Sequence, residues 1–176
     1  MTEIFKHLFG GWHEAEACRW ANKDGTPGGI VAVTATVDPD VIIAESVVVW
    51  PNARIGARTS IGYGTSIGHS TSIGALTSIG DGTSIEADDW LFVAGPQGSR
   101  NSFATATNSA THGLRWWVGC QHGITTETFR ARIDLDHPAP SEHRDNYLAL
   151  VAFVEAHPGL ARHRAKIAAA STNVEG

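Results

Sequence analysis

The chain lacks the features that would settle its class at once. It has two cysteines in 176 residues, Cys18 and Cys120. They are far apart and outside any metal-type spacing, so free buried thiols are the ordinary expectation, with a disulfide left open. No apolar run approaches the roughly 18 residues of a spanning helix. The start, MTEIFKHLFGGWHEAE, is too broken by charge for a signal peptide. A cytoplasmic protein with no membrane partner is therefore expected. There is no basic excess either. Thirteen Lys and Arg against 18 Asp and Glu give a formal net charge of −5, which offers no general attraction to nucleic acid. What remains, 42% hydrophobic residues, suffices for one core with an appended subdomain.

What the chain does have is a repeat. From Ile55 to Trp90 it reads IGARTSIGYGTSIGHSTSIGALTSIGDGTSIEADDW. The six-residue register extends through Val31, Val37, Ile43, Val49, Ile55, Ile61, Ile67, Ile73, Ile79, Ile85 and Leu91, all branched aliphatics. Two residues before them stand small or β-branched residues: Ala35, Val41, Val47, Ala53, then Thr59, Thr65, Thr71, Thr77 and Thr83. Six is even, so strand alternation keeps both sets on the same inward side. The outward neighbours are serines, Ser60 to Ser84, so a threonine ice-binding face is not expected. Gly56, Gly62, Gly68, Gly74 and Gly80 follow the aliphatics, where positive φ or tight backbone approach favours glycine.

This pattern resembles the hexapeptide-repeat superfamily. The resemblance implies a left-handed parallel β-helix with three hexads to a triangular coil, so that Ile43 stacks on Ile61 and Ile61 on Ile79. The expected fold class is mainly β: a prism of about three coils over 30–94, an N-terminal cap over 1–29, and a C-terminal α+β module over 95–170 with a tail at 171–176. A prism this short exposes strand edges at both ends and needs covering. The family commonly forms trimers, which makes a homotrimer the expected assembly.

The flanks read less regularly. Ile4, Phe5, Leu8 and Phe9 suggest a helical turn or two. Beyond Leu91, the alternation around Asn108 to Gly113 predicts a β-hairpin at about 102–120. Thr125 is placed to cap a helix at 126–133, with Ile124 and Phe129 as its hydrophobic staple. Ser141 is placed to cap a second helix, whose Tyr147, Leu150, Val151 and Val154 form one apolar stripe. A further helix at 160–170 is open. The pieces GSRN at 98–101, GCQHG at 119–123, Glu127 with Phe129, and EHRDNYLALVAFVEA at 142–156 resemble a module that follows hexapeptide repeats in bacteriophage and prophage proteins of unassigned function. That resemblance implies a phage-related origin and no reaction.

Three kinds of chemistry are open. Acyl transfer from acyl-CoA, common in the hexapeptide family, needs a general base, and His69 is the one histidine inside the repeat. The stretch SVVVWPNARIG at 46–56 resembles the early repeats of γ-type carbonic anhydrases. The arginine-glycine-aspartate expected after Trp-Pro is absent, and no further histidine follows His69 in the repeat, so no metal is expected. The third is binding without turnover of a small anionic or nucleotide-like ligand, with a nucleotide-derived immune signal as the target that a phage origin suggests. Its candidates are Arg100, Asn101, His112, Arg115, Trp116 and Trp117, with arginine suited to phosphate and tryptophan to stacking. Cys120 and His122 would share one face if both lay on a strand, which a thiolate–imidazole hydrolase requires. Binding without a cofactor is the leading expectation, acyl transfer the second, and a purely structural trimerisation module the third.

Overall fold

A computed structural model describes residues 3–86, 88–97 and 102–172. The chain divides into two compact units, 1–88 and 89–176. The protein is mainly β: a β-solenoid of about three turns in the first unit, then an antiparallel sheet and three helices in the second.

The first unit opens with three strands, β1 (Ile4–Phe9), β2 (His13–Ala21) and β3 (Pro27–Ala32). Nine two-residue strands follow, one for each repeat: β4 (Thr36–Val37), β5 (Ile42–Ile43), β6 (Val48–Val49), β7 (Arg54–Ile55), β8 (Ser60–Ile61), β9 (Ser66–Ile67), β10 (Ser72–Ile73), β11 (Ser78–Ile79) and β12 (Ser84–Ile85). They form three parallel stacks: β3-β6-β9-β12, β4-β7-β10 and β5-β8-β11. Every pairing joins residues 18 apart, Ile43 with Ile61 and Ile61 with Ile79 among them. All the aliphatics from Ile43 to Ile85 are buried, and so are Val41, Val47, Ala53, Thr59, Thr65, Thr71 and Thr83. Four threonine hydroxyls bond to backbone, Thr59 and Thr77 both donating to the Gly74 carbonyl and Thr65 and Thr83 to that of Gly80, whereas the buried Thr71 hydroxyl has no partner among the described residues.

Gly56 and Gly62, which follow the aliphatics, are there for closeness, not for their φ. A Cβ on Gly56 would sit 2.5 Å from the Ala75 nitrogen, and one on Gly62 2.3 Å from an Asp81 carboxylate oxygen. The left-handed residues stand two places further on, at Asn52, Arg58, Gly64, Ser70, Leu76, Gly82 and Asp88. The corner bends there, and the backbone approaches its neighbour coil at the glycine.

Three expectations need correction. Ile4 to Phe9 is a strand, not a helical turn. The spacing of Ile4 with Leu8 and Phe5 with Phe9 fits a helix, but the chain alternates. Phe5, His7 and Phe9 take one face and pair across to Ala17, Ala15 and His13 of β2. Leu91 is not a last rung: it lies in an eight-residue strand that opens the second unit. Cys120 is in a turn, not on a strand.

The N-terminal strands also deal with the open edge of the first coil. β1 and β2 extend the β3 stack as antiparallel neighbours. Just after them, buried Asn22 acts as a substitute strand. Its amide nitrogen donates to the Ile43 carbonyl at 3.0 Å, and its oxygen accepts from the Ile43 N–H at 2.9 Å. The indole of Trp20 donates to the Val41 carbonyl. These bonds satisfy backbone groups that the end of a solenoid would leave bare.

The second unit is a four-stranded antiparallel meander, β13 (Trp90–Gln97), β14 (Ser102–Ser109), β15 (Gly113–Val118) and β16 (Gln121–Ile124). The expected hairpin is its middle pair. Three helices follow: α1 (Thr126–Asp136), α2 (Glu142–Glu155) and α3 (Pro158–Thr172). Thr125 and Ser141 cap α1 and α2 as expected, each accepting from the N–H three residues on. α1 runs one turn beyond the expected 133. One face of the sheet, carrying Ala104, Ala106, Trp116 and Val118, forms a core with Phe129, Ile133, Tyr147, Val151, Val154 and Leu160. No helix among the described residues is long and apolar enough to cross a membrane.

Candidate functional site

The second unit contains a cleft of about 500 Å3. Its wall is α1. Phe129 and Ile133 turn toward the core, and Arg132 and Asp136 continue the same helical stripe at i+3 and i+7, where the core ends. The cap residue His137 closes that helix, its N–H bonded to the Ile133 carbonyl at 3.0 Å. Tyr147 of α2 forms the floor. It meets Phe129 edge-on with ring centres 5.7 Å apart and lies 5.6 Å from the His137 ring, which in turn lies 5.7 Å from His143. The lip is the β15–β16 turn. Gly119 takes positive φ there, and exposed Cys120 and half-buried Gln121 line the opening.

The chemistry of this lining is mixed. Arg132 forms no ion pair with another described residue, unlike Arg130 and Arg144 on neighbouring surfaces, which hold Glu155 and Asp134. Its guanidinium fork suits a carboxylate or phosphate. Tyr147 and Phe129, both largely buried, back the cleft with apolar ring edges, and Asp136 and Gln121 supply acceptors and donors at its opening. Cys120 is a free thiol at the mouth, with the Gln121 amide 3.7 Å from its sulfur. Among the described residues no group of three or more His, Cys, Asp or Glu is placed to hold a metal.

Of the expected ligand-binding residues, Arg100 and Asn101 lie outside the described residues. Trp116 is fully buried on the helix face of the sheet, its indole N–H bonded to Thr126 at 2.9 Å. Arg115 and Trp117 point to the opposite face, with Thr105 and Thr107 as their cross-strand partners. His112 is exposed in the β14–β15 turn. The described members of that set therefore spread over two faces and an end of the sheet. Cys120 belongs to the cleft, and His122 is exposed on β16.

His69, the expected base, is exposed at a solenoid corner in the first unit. Its Nε2 lies 3.2 Å from Asn52 Nδ2 and its Nδ1 2.7 Å from Ser70 Oγ. An amide nitrogen only donates, so Nε2 accepts and the ring proton on Nδ1 goes to the serine. Both nitrogens of the neutral ring are thus engaged.

Sequence reading passed over Arg132, Asp136, His137 and the second role of Tyr147. The signal was there: the stripe 129, 132, 133, 136 begins apolar and ends charged. A helix face that turns from core to charge marks the rim of something concave.

The fold and cleft define a β-solenoid protein with an α+β unit that carries a small-molecule-sized cavity. No family model matches the chain, and no curated protein and no solved structure matches it either.

Proposed function

We propose that this is an oligomeric small-ligand-binding protein whose second unit takes a small anionic, nucleotide-like molecule and holds it without turnover. The observation that carries the reading is the cleft itself. It has a volume suited to a nucleotide, an arginine with no ion pair to another described residue, and aromatic rings behind it. The solenoid serves as the assembly element, and a homotrimer is the expected form. The phage-like stretch of the second unit favours sequestration of a nucleotide-derived signal as the biological use.

Titration calorimetry against mono-, di- and cyclic nucleotides and ADP-ribose tests it. Stoichiometric uptake, with the ligand recovered intact and affinity lost in Arg132→Ala, supports the proposal. No heat with any member of the panel removes it. If incubation with acyl-CoA and an amine yields acylated product that His69→Ala abolishes, acyl transfer replaces it. Native mass spectrometry reads the stoichiometry in the same preparation.

A further inference from the structure

The first unit carries a second constructed surface, on the outer side of the β1–β2 extension. The turn between those strands is Gly10 and Gly11, both at positive φ. It is pressed so closely onto Trp50 that a Cβ on Gly10 would lie 2.8 Å from the indole. The turn delivers Trp12, 75% exposed, to a position 5.8 Å from the Trp50 ring centre. Trp50 is itself fixed, its N–H bonded to Ser66 Oγ at 3.2 Å. His13 stacks on Trp50 at an interplanar angle of 22° and lies 6.4 Å from His69.

The polar groups follow at once. His69 holds Asn52 through its amide nitrogen and Ser70 through its hydroxyl. This leaves the Asn52 carbonyl oxygen and the Ser70 hydroxyl proton, both at exposed residues, for a ligand. The β1 and β2 side chains on this face are Phe5, His7, Phe9, His13, Ala15 and Ala17, with no carboxylate among them. An exposed indole, joined through the Trp50, His13 and His69 rings to a corner that both donates and accepts, matches a sugar ring, with an apolar C–H face and a rim of hydroxyls.

We propose that Trp12, Trp50, Asn52 and Ser70 form a pyranose-binding site, with Trp12 as the stacking platform and His69 as the residue that positions the amide and the hydroxyl. It is independent of the cleft in the second unit.

The test is saturation-transfer NMR and calorimetry on the full chain, with cellobiose, maltose, lactose and N,N′-diacetylchitobiose as probes. At least one should receive saturation on its ring C–H protons. Trp12→Ala should weaken that binding about tenfold, the scale of a tryptophan contact. Asn52→Gly should weaken it severalfold, because glycine suits the positive φ at 52 and removes only the amide. Arg132→Ala should leave it unchanged. The proposal is overturned if none of the four sugars receives saturation, or if Trp12→Ala binds as well as the parent. It is also overturned if Trp12→Ala lowers the native assembly mass, since the patch is then a contact between copies of the chain.

Discussion

The two units bury their cores in opposite ways. In the first, one inward position is filled by one kind of residue over and over, and each isoleucine meets its own counterpart a coil away. In the second, no contact recurs. Trp116 meets Phe129, Phe129 meets Tyr147, and each ring fits a place made by the others. A solenoid's stability is close to a sum of neighbouring terms, whereas a jigsaw core stands or falls together. The first unit should therefore tolerate interior change and be weak where the repetition ends. The second should be sensitive anywhere near its centre.

The largest effect should come from that centre. Trp116→Ala removes the largest fully buried side chain and leaves Thr126 without its indole donor. A loss of about 3–5 kcal/mol is expected. Denaturant unfolding followed by hydrogen exchange should show the whole second unit losing protection together, with the solenoid amides from 42 to 85 keeping theirs. Loss of protection in both units at once would break the comparison.

The next effect probes where the repetition stops. Asn22→Ala leaves the N–H and the carbonyl of Ile43 without their partners. An unsatisfied buried group costs about 1–3 kcal/mol, so about 2–6 kcal/mol is expected for the two. Exchange should rise first at Ile43 and Val41 and fade over the coils beyond. A uniform rise through the solenoid would mean that it unfolds as one body, like the second unit.

The same contrast explains how much was legible in the sequence. Periodicity is a statement about which side chains share an environment, so the repeat announced its inward aliphatics and most of its inward threonines, while the three-hexad coil and its 18-residue pairing were expected from the resemblance to the hexapeptide-repeat pattern. Thr125 and Ser141 were legible because a cap is a local bond between residues three apart. The strand at Ile4 was not. Apolar pairs four apart, Ile4 with Leu8 and Phe5 with Phe9, fit one face of a helix and, four being even, one face of a strand alike, and the deciding partner, β2, is non-local. The cleft was less legible still. Arg132, Tyr147 and Cys120 come together only because α1, α2 and a β-turn pack on one core, and no spacing along the chain encodes that meeting.

A smaller effect sharpens the picture of the corners. Gly56 and Gly74 hold the same place on successive coils, but a Cβ would strike the Ala75 backbone at Gly56 and meet nothing within 4 Å at Gly74. Gly56→Ala should cost about 1–3 kcal/mol, as overpacking does. Gly74→Ala should lie within about 0.5 kcal/mol of the parent. Thermal unfolding of both variants decides the matter. Equal costs would mean that the close approach of the Ala75 backbone does not decide what position 56 tolerates.

The smallest effect is the acid titration of two carboxylates in the first unit. The Thr26 hydroxyl and N–H hold the Asp24 carboxyl below its usual value, with the N–H at 2.9 Å. Lys23 does the same to Asp40, first by a hydrogen bond of 2.6 Å and then by its charge. A folded-state value below the unfolded one means a contribution that is present above the ordinary carboxylate range, near pH 3.9, and lost as pH falls through the lower folded value. Both groups are at the surface, where such contributions are slight. NMR should therefore show the Thr26 amide and the Asp40 carboxyl carbon shifting with midpoints below about 3.9. High salt should move the Asp40 midpoint upward more than that of Asp24, because part of the Asp40 shift is Coulombic and salt screens charge more than it weakens a hydrogen bond. If both midpoints stay put in salt, the Lys23–Asp40 contact acts through its hydrogen bond alone.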